Sequence, residues 1–325
     1  MSRKDYLEIK ELIRKYIGTW QTYDTSEIRN MVYDDVYFNT STSLTMEDGA
    51  QDSPYGICDF LNDFPRTKGL VYHIYNFICR NYETDAYGYA EIPCLAYDDA
   101  ENYFEFTVQF AFRCRKRESK WMLSEIRQEV IAERGNLQSV FEKIWYLRND
   151  NEARMPVLRG VCESPWINMP VCEDVLTEEE KIQEVLIKAA YGEETNVMEH
   201  VYDAYSVDYG EYTCWGTDNS GRKEYVGALA FERGHRRYAM KPMKFTKIEV
   251  DGERAFVEYD RMRGLKQNVN EYAYTSENLT TEHSCAKCFC ELVLEQGQWK
   301  IAYQKSYKGL YETGAYEDTG YGSLI

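Results

Sequence analysis

The chain has 325 residues, of which 44% are apolar and 15% aromatic, so it is long enough for two domains and can bury cores. Its formal net charge of −17 argues against binding to nucleic acid or to an anionic membrane surface, because a polyanion repels phosphate groups. No apolar run reaches the length of a membrane span, and the polar N-terminus lacks the apolar core of a signal peptide. We therefore expect a cytoplasmic protein whose ten cysteines are mostly free thiols.

The first half of the chain begins with a helical pattern, in which apolar residues recur at helical spacing from Leu7 to Trp20. Asp24 and Thr25 offer an N-cap for a short second helix at about 26–32. The remaining predicted elements of this half are a strand at about 36–42, a helix at about 54–64, and strands at about 70–80, 86–97, 102–115 and 120–132.

The second half repeats this order. Its predicted elements are helices at about 178–190 and 196–202, a strand that begins near 205, a helix at about 222–233, and strands at about 241–250, 253–263, 283–294 and 298–308. Val32-Tyr33-Asp34 matches Val201-Tyr202-Asp203 at an offset of 169, and the turn before Trp121 matches the turn before Trp299 at an offset of 178. The second half thus carries about nine extra residues, which we place at 264–282.

A segment between the two halves, residues 149–176, shows little periodicity and contains Pro156, Gly160, Pro165 and Pro170. Proline and glycine interrupt regular structure, so this segment is predicted to be a linker. The predicted domains are then residues 1–148 and residues 177–325.

The order of elements within each half predicts an α+β fold, because three helices are followed by a run of strands. Alternation from Phe104 to Phe112 places five apolar side chains on one face of a strand, with polar Glu105, Thr107 and Gln109 on the other. A bent sheet that is covered by helices encloses a concave pocket. We predict two such domains in tandem, each a curved antiparallel sheet covered by three helices.

Four segments of the first half resemble the SnoaL-like group of the nuclear transport factor 2-like superfamily. They are the first helix with Tyr16, the segment Met31–Phe38, the strand Val71–Phe77 and the closing hairpin through Trp121. The resemblance covers residues 5–135 well and 177–310 more loosely. It implies cone-shaped domains that pair through their sheets, so the tandem would form a pseudo-dimer within one chain, and a further homo-oligomer is compatible with it.

Within this group, the first domain resembles the scytalone and bile-acid dehydratases, which remove water without a cofactor. Such a lyase, or a related isomerase, needs a base and a hydrogen-bond donor for the developing oxyanion. The resemblance places His73 at the catalytic histidine and Tyr16 at the first-helix tyrosine. It implies a hydrophobic, hydroxylated small molecule as the substrate, and neither a cofactor nor a metal. The alternative function is a non-catalytic module of the same fold that binds a small molecule or a protein.

Two positions depart from the dehydratase pattern. Gln21 stands where these enzymes have a carboxylate, and Cys94 falls at a further polar position of the family. Glu91, Asp24 and Glu105 are the alternatives for the missing charge. His73 and Tyr75 are two residues apart on a predicted strand, so both are expected to face the pocket. The expected substrate-binding residues are Trp20, Gln21, Phe38, Tyr55, Phe60, Tyr75 and Cys94.

The second domain has no histidine at the position equivalent to His73, and we expect it to be structural or degenerate. Asp260 and Glu258 are candidate bases, but an ion pair with Arg261 or Arg263 is the simpler interpretation.

The run from His283 to Cys290 contains three cysteines. Alternation along a strand places Cys288 and Cys290 on one face and Cys285 on the other. Zinc sites usually draw ligands from two clusters, and only one is present, so no metal site is predicted.

Overall fold

A computed structural model describes residues 2–40, 50–51, 54–145, 157–169, 175–212, 218–233, 240–262 and 274–312. Contacts between residues divide the chain into two compact units. Unit 1 comprises Met1–Val175 together with Tyr274–Leu279, and unit 2 comprises Leu176–Ala273 together with Thr280–Ile325.

Unit 1 combines five helices with a sheet that has seven strands in the described residues, and its first two strands precede the third helix. Its helices are α1 (Arg3–Thr22), α2 (Ile28–Met31), α3 (Pro54–Asp63), α4 (Gln138–Phe141) and α5 (Pro165–Asn168). Its strands are β1 (Val32–Thr40), β2 (Ala50–Gln51), β3 (Gly69–Tyr72), β4 (Tyr75–Tyr82), β5 (Asp85–Tyr97), β6 (Tyr103–Arg117) and β7 (Lys120–Arg134). The strand order is β2-β1-β7-β6-β5-β3, with β4 also paired to β5, and β1 runs parallel to β7.

Unit 2 repeats this arrangement in the described residues. Its helices are α6 (Glu178–Glu194), α7 (Met198–Ala204) and α8 (Arg222–Arg233). Its strands are β8 (Tyr205–Tyr212), β9 (Asp218–Ser220), β10 (Met243–Asp251), β11 (Arg254–Met262), β12 (His283–Glu295) and β13 (Gln298–Glu312). The order β9-β8-β13-β12-β11-β10 matches that of unit 1, and β8 again runs parallel to the last strand. The predicted α+β fold, with a curved sheet in each unit, is confirmed.

The first helix of each unit begins with a capping box. The Ser2 hydroxyl accepts the Asp5 backbone N–H while the Asp5 carboxylate accepts the Ser2 backbone N–H, and Thr177 and Glu180 repeat this exchange. Such reciprocal bonds satisfy two of the free N–H groups at a helix start. None of the described helices is both long and apolar enough to cross a bilayer.

Two local details differ from the sequence-based expectation. The short second helix begins at Ile28 rather than at about Ser26, because the Asp24 carboxylate accepts the backbone N–H of Ser26 at 2.8 Å and holds a turn there. The strand expected at 70–80 is divided into β3 and β4, with a positive φ of 51° at Asn76 and a register shift beside it. A bulge of this kind re-aims the side chains around it.

A buried tryptophan at the start of the last strand anchors the first helix in each unit. Trp121 Nε1 donates to Asp5 Oδ1 at 2.9 Å, and Trp299 Nε1 donates to Glu178 Oε2 at 3.1 Å. Burial opposes ionisation of Asp5, but hydrogen bonds from Lys116, Trp121 and Ser2 outweigh it and hold the pKa of this carboxyl well below its usual range.

Asp5→Asn is expected to lower the stability of unit 1 by about 2 kcal/mol at pH 7, because it removes charged hydrogen bonds. Since the folded-state pKa lies below the unfolded value, this stabilisation is present above about pH 4 and is lost as the pH falls further. Urea unfolding at pH 7 and pH 3 measures the difference. Glu178→Gln is the matched control, and its effect should stay below about 1 kcal/mol because the Glu178 side chain is 56% exposed. Equal effects of both variants at pH 7 would contradict this account.

Candidate functional site

The helix-covered side of the unit 1 sheet, which we call the inner face, carries most of the predicted pocket residues. Phe110 on β6 contacts the ring of Tyr16 on α1, with the centroids 5.7 Å apart. Phe110 pairs in register with Ala90 on one side and Gln128 on the other. Paired residues project to the same face, so Gln128 lies with Tyr16 inside unit 1.

The interior of unit 1 is filled by aromatic rings. Phe141 and Trp145, which follow the last strand, stack at a centroid distance of 5.8 Å, and we call them the aromatic plug. Trp145 also contacts Phe60 at 5.8 Å and Phe106 at 5.3 Å, and its Nε1 donates to Thr40 Oγ1 at 3.2 Å. Nothing in the sequence pattern predicted this plug, because the helix that carries Phe141 has only four residues.

A polar centre lies beneath this aromatic shell. Gln128 Nε2 donates to the Tyr16 hydroxyl at 3.3 Å, and the rings of Tyr16 and Trp20 are 6.5 Å apart. The Trp20 indole N–H is buried and makes no hydrogen bond of normal geometry within the described residues. Burial raises the pKa of Tyr16 well above its usual range, which the nearby Gln128 and Trp20 N–H groups only partly offset. Tyr16 is therefore a neutral phenol that can donate to an oxygen atom.

The other predicted binding residues have varied environments. Phe38 and Phe60 are buried, with ring centroids 5.5 Å apart, and line the same interior. Cys94 pairs with Phe106 on the inner face, and burial raises the pKa of its thiol well above the usual value. Gln21 is exposed and donates to the Leu70 carbonyl at 2.6 Å, so it ties the end of α1 to β3. The side chain of Tyr55 lies outside the described residues.

His73 lies in the short break between β3 and β4. Its backbone N–H donates to the Pro93 carbonyl at 3.2 Å, and its ring stacks on Tyr75 with the centroids 5.9 Å apart. Both side chains are half-buried. His73 and Tyr75 therefore form a stacked pair of rings, which we call the His73–Tyr75 pair.

The sheet register places Tyr75 on the side of the sheet opposite Tyr16. Tyr75 pairs with Glu91, and Glu91 pairs with Gln109, the neighbour of Phe110. Adjacent residues of a strand point to opposite faces, so Tyr75 and Glu91 belong to the outer face. The sequence placed the His73–Tyr75 pair in the pocket, but the structure does not bring the pair together with Tyr16.

Two of the three carboxylates that could supply the missing charge, Glu91 and Glu105, also lie on the outer face and already have partners. The third, Asp24, is exposed in the turn after α1. Glu91 accepts from Asn76 Nδ2 at 2.6 Å. Glu105 forms an ion pair with Arg134 at 2.8 Å and accepts from the Tyr274 hydroxyl at 3.0 Å. Both are almost fully buried, so hydrogen bonds must compensate for the loss of water. Neither contacts Tyr16.

A surface groove with a volume of about 910 Å³ lies beside α1 and is separate from this interior. Leu12, Met31 and Trp121 contribute apolar side chains to it, and lysine and glutamate side chains both line it. None of the predicted site residues lines this groove.

In unit 2, the ion pair of Asp260 differs from the expected one. Asp260 pairs with Lys287 at 2.9 Å rather than with Arg261, because adjacent residues point to opposite faces and Lys287 is its register partner on β12. Arg263 lies outside the described residues.

The cysteine run differs from simple alternation as well. A register shift beside Cys285 lets its thiol donate to the Arg261 carbonyl at 3.3 Å. Among the described residues, no group of three or more His, Cys, Asp or Glu side chains is placed to hold a metal.

Comparison with known proteins gives structural likenesses alone. No family model matches the chain, and no curated protein matches it. A putative aromatic ring hydroxylase from Novosphingobium aromaticivorans is 20% identical, with a TM-score of 0.36 over 43% of this chain and 99% of that chain. A putative scytalone dehydratase from the same organism is 12% identical, with a TM-score of 0.35 over 46% of this chain and 95% of that chain. Hexachlorocyclohexane dehydrochlorinase LinA-type3 from Novosphingobium barchaimii is 13% identical, with a TM-score of 0.34 over 41% of this chain and 89% of that chain. These values carry no inference about activity.

Proposed function

We propose that unit 1 binds an uncharged, apolar small molecule that carries a carbonyl or hydroxyl oxygen. The observation that supports this proposal is the Trp20 N–H, which is buried beside the Tyr16 hydroxyl without a hydrogen bond of normal geometry in the described residues. A buried donor without an acceptor costs about 1–3 kcal/mol, which a ligand oxygen would offset.

The surroundings favour an apolar ligand body. Phe38, Phe60 and Phe110 present rings to this interior, and the Cys94 thiol stays neutral. Ligand pockets of this kind combine apolar walls with a few polar groups that fix orientation. The aromatic plug occupies the interior, so the ligand enters by displacing Phe141 and Trp145.

The second candidate is the lyase or isomerase reaction that the family resemblance implies. Tyr16 favours it, because a neutral buried phenol can donate to the oxyanion that develops during such reactions. The reaction also needs a base, and none of the ring or hydrogen-bond contacts of Tyr16 in the described residues is to a carboxylate or an imidazole. His73 remains the proposed base, although the register separates its partner Tyr75 from Tyr16.

Tyr16→Phe is expected to weaken ligand binding by about tenfold, because it removes one hydrogen bond to the ligand oxygen. Uncharged hydroxylated steroids and polyphenols are the probes, and ligand-observed NMR followed by calorimetry gives the affinity. Tyr191→Phe is the matched control, since Tyr191 is an equally buried tyrosine on the first helix of unit 2. Equal affinity of the wild type and Tyr16→Phe, or no binding by any probe, argues against the proposal.

The same mixtures distinguish the two candidates when they are analysed by mass spectrometry. Binding alone leaves every probe unchanged. A product that lacks one water, or an isomer, formed by the wild type and lost in His73→Ala would establish the lyase or isomerase reaction.

A further inference from the structure

The interior of unit 2 contains a chain of hydrogen-bonded polar side chains that the sequence analysis did not predict. The hydroxyl oxygens of Tyr205 and Tyr225 lie 3.3 Å apart, and Tyr205 donates to Gln304 Oε1 at 3.4 Å. Gln304 Nε2 in turn donates to the Tyr259 hydroxyl at 2.9 Å. Two phenols, those of Tyr205 and Tyr259, therefore bond one amide, and the Tyr225 phenol extends the chain through Tyr205.

Arg261 lies beside this chain on the same strand face as Tyr259, two residues away. Its side chain is half-buried, its Nε is sealed from solvent, and the guanidinium makes no hydrogen bond or ion pair within the described residues. Nearby carboxylates are already engaged, since Glu193 pairs with Lys241 and Asp260 pairs with Lys287. A guanidinium cannot lose its proton in a protein, so Arg261 stays charged. Among the described residues, the Glu193 carboxylate acts on this charge only through space, without a direct ion pair.

The corresponding positions of unit 1 show how this polar interior is built. At the offset that aligns Trp121 with Trp299, Phe110 corresponds to Cys288. Phe110 pairs with Ala90, whereas Cys288 pairs with Tyr259. The small cysteine leaves room for the larger tyrosine, and one pair further along, Ala286 does the same for Arg261. At these positions unit 2 thus carries Tyr259 and Arg261 opposite small residues, where unit 1 has Phe110 opposite Ala90.

We propose that unit 2 binds the carboxylate of a small aromatic or apolar acid, with Arg261 as the anion-binding residue and the tyrosine chain beside it. A guanidinium presents two parallel N–H groups that match the two oxygens of a carboxylate. Buried Val257, the next residue on this strand face after Tyr259, suits an apolar body rather than free phosphate. The proposal does not depend on the function proposed for unit 1.

Calorimetry with the full chain tests the proposal, with sodium benzoate as the probe. Benzoate is expected to bind saturably, while benzamide, which has the same shape without the charge, and inorganic phosphate should each bind at least tenfold more weakly. Arg261→Gln should weaken benzoate binding at least tenfold, and Arg261→Lys should weaken it less. Arg254→Gln is the matched control because Arg254 is exposed on the same strand, and Tyr16→Phe reports on unit 1; both should bind benzoate as the wild type does.

A second measurement separates a ligand-binding role from a structural one. If Arg261 awaits an anion, Arg261→Met should raise the melting temperature of the ligand-free protein, because it removes a charged group whose Nε is buried without a hydrogen bond in the described residues. Benzoate should then raise the melting temperature of the wild type and leave that of Arg261→Met unchanged. The proposal would be overturned if benzoate did not bind, if its binding survived in Arg261→Gln, or if phosphate bound equally well. A melting temperature lowered by Arg261→Met would also overturn it.

Discussion

Lys287→Met is expected to destabilise unit 2 by about 3–5 kcal/mol, because it leaves the Asp260 carboxylate buried without its counter-ion. The two side chains are 7% and 2% exposed, and their charged atoms are 2.9 Å apart. The second oxygen of Asp260 is also buried and has no hydrogen-bond partner in the described residues, so nothing there replaces the lost ammonium. Urea unfolding at pH 7 measures the effect as a lower midpoint with an unchanged slope.

Two further variants isolate the ion pair. The double variant Asp260→Leu/Lys287→Met should recover most of the loss, since replacing a whole buried ion pair by apolar groups is often neutral or stabilising. Lys247→Met serves as the control for removing a lysine from the same sheet, because the Lys247 side chain is 49% exposed. If Lys287→Met cost no more than Lys247→Met, the pair would contribute nothing to folding.

Trp145→Ala is expected to lower the stability of unit 1 by about 3–5 kcal/mol, the cost of truncating a large aromatic core residue. Trp145 is fully buried, packs against Phe64 and Phe106 at 5.3 Å, and donates to Thr40. The variant leaves a cavity lined by aromatic rings above Tyr16. It should therefore bind the uncharged probes of unit 1 more tightly than the wild type, because the ligand no longer has to displace the plug.

Thermal unfolding and calorimetry measure the two effects of Trp145→Ala separately. Trp166→Ala is the control, since Trp166 is half-buried and contacts Arg80 outside this interior. It should cost less stability and leave probe affinity unchanged. A Trp145→Ala protein that folds but binds the probes more weakly would show that the plug forms part of the binding site.

Much of the secondary structure follows from local signals in the sequence. The helix at 222–233 was predicted with the bounds that the structure has, because apolar periodicity is a property of neighbouring residues. The match of Trp121 to Trp299 predicted the internal repeat, and the structure adds that each indole donates to a carboxylate in the first turn of the first helix. The capping boxes at Ser2 and Thr177 are local signals of the same kind.

The side of the sheet on which a residue lies was harder to predict than the presence of the strand. Alternation correctly assigned Phe104–Phe112, because the pairing of β6 with β5 is unbroken through that segment. It failed near His73, where a strand break and the bulge at Asn76 change the relation between position and face. Bulges depend on the pairing of distant strands, so a single sequence gives little indication of where they fall.

By itself, the sequence determined the α+β class, the repeat, the order of elements and the burial of Tyr16 in a helix that covers the sheet. These features arise from periodicity and turn chemistry within short stretches of chain. Only the tertiary structure decided that Gln128 and Trp20 accompany Tyr16, that Asp260 pairs with Lys287, and that the Arg261 Nε is buried without a hydrogen bond in the described residues. These outcomes depend on strand register and burial, which bring together residues far apart in the sequence.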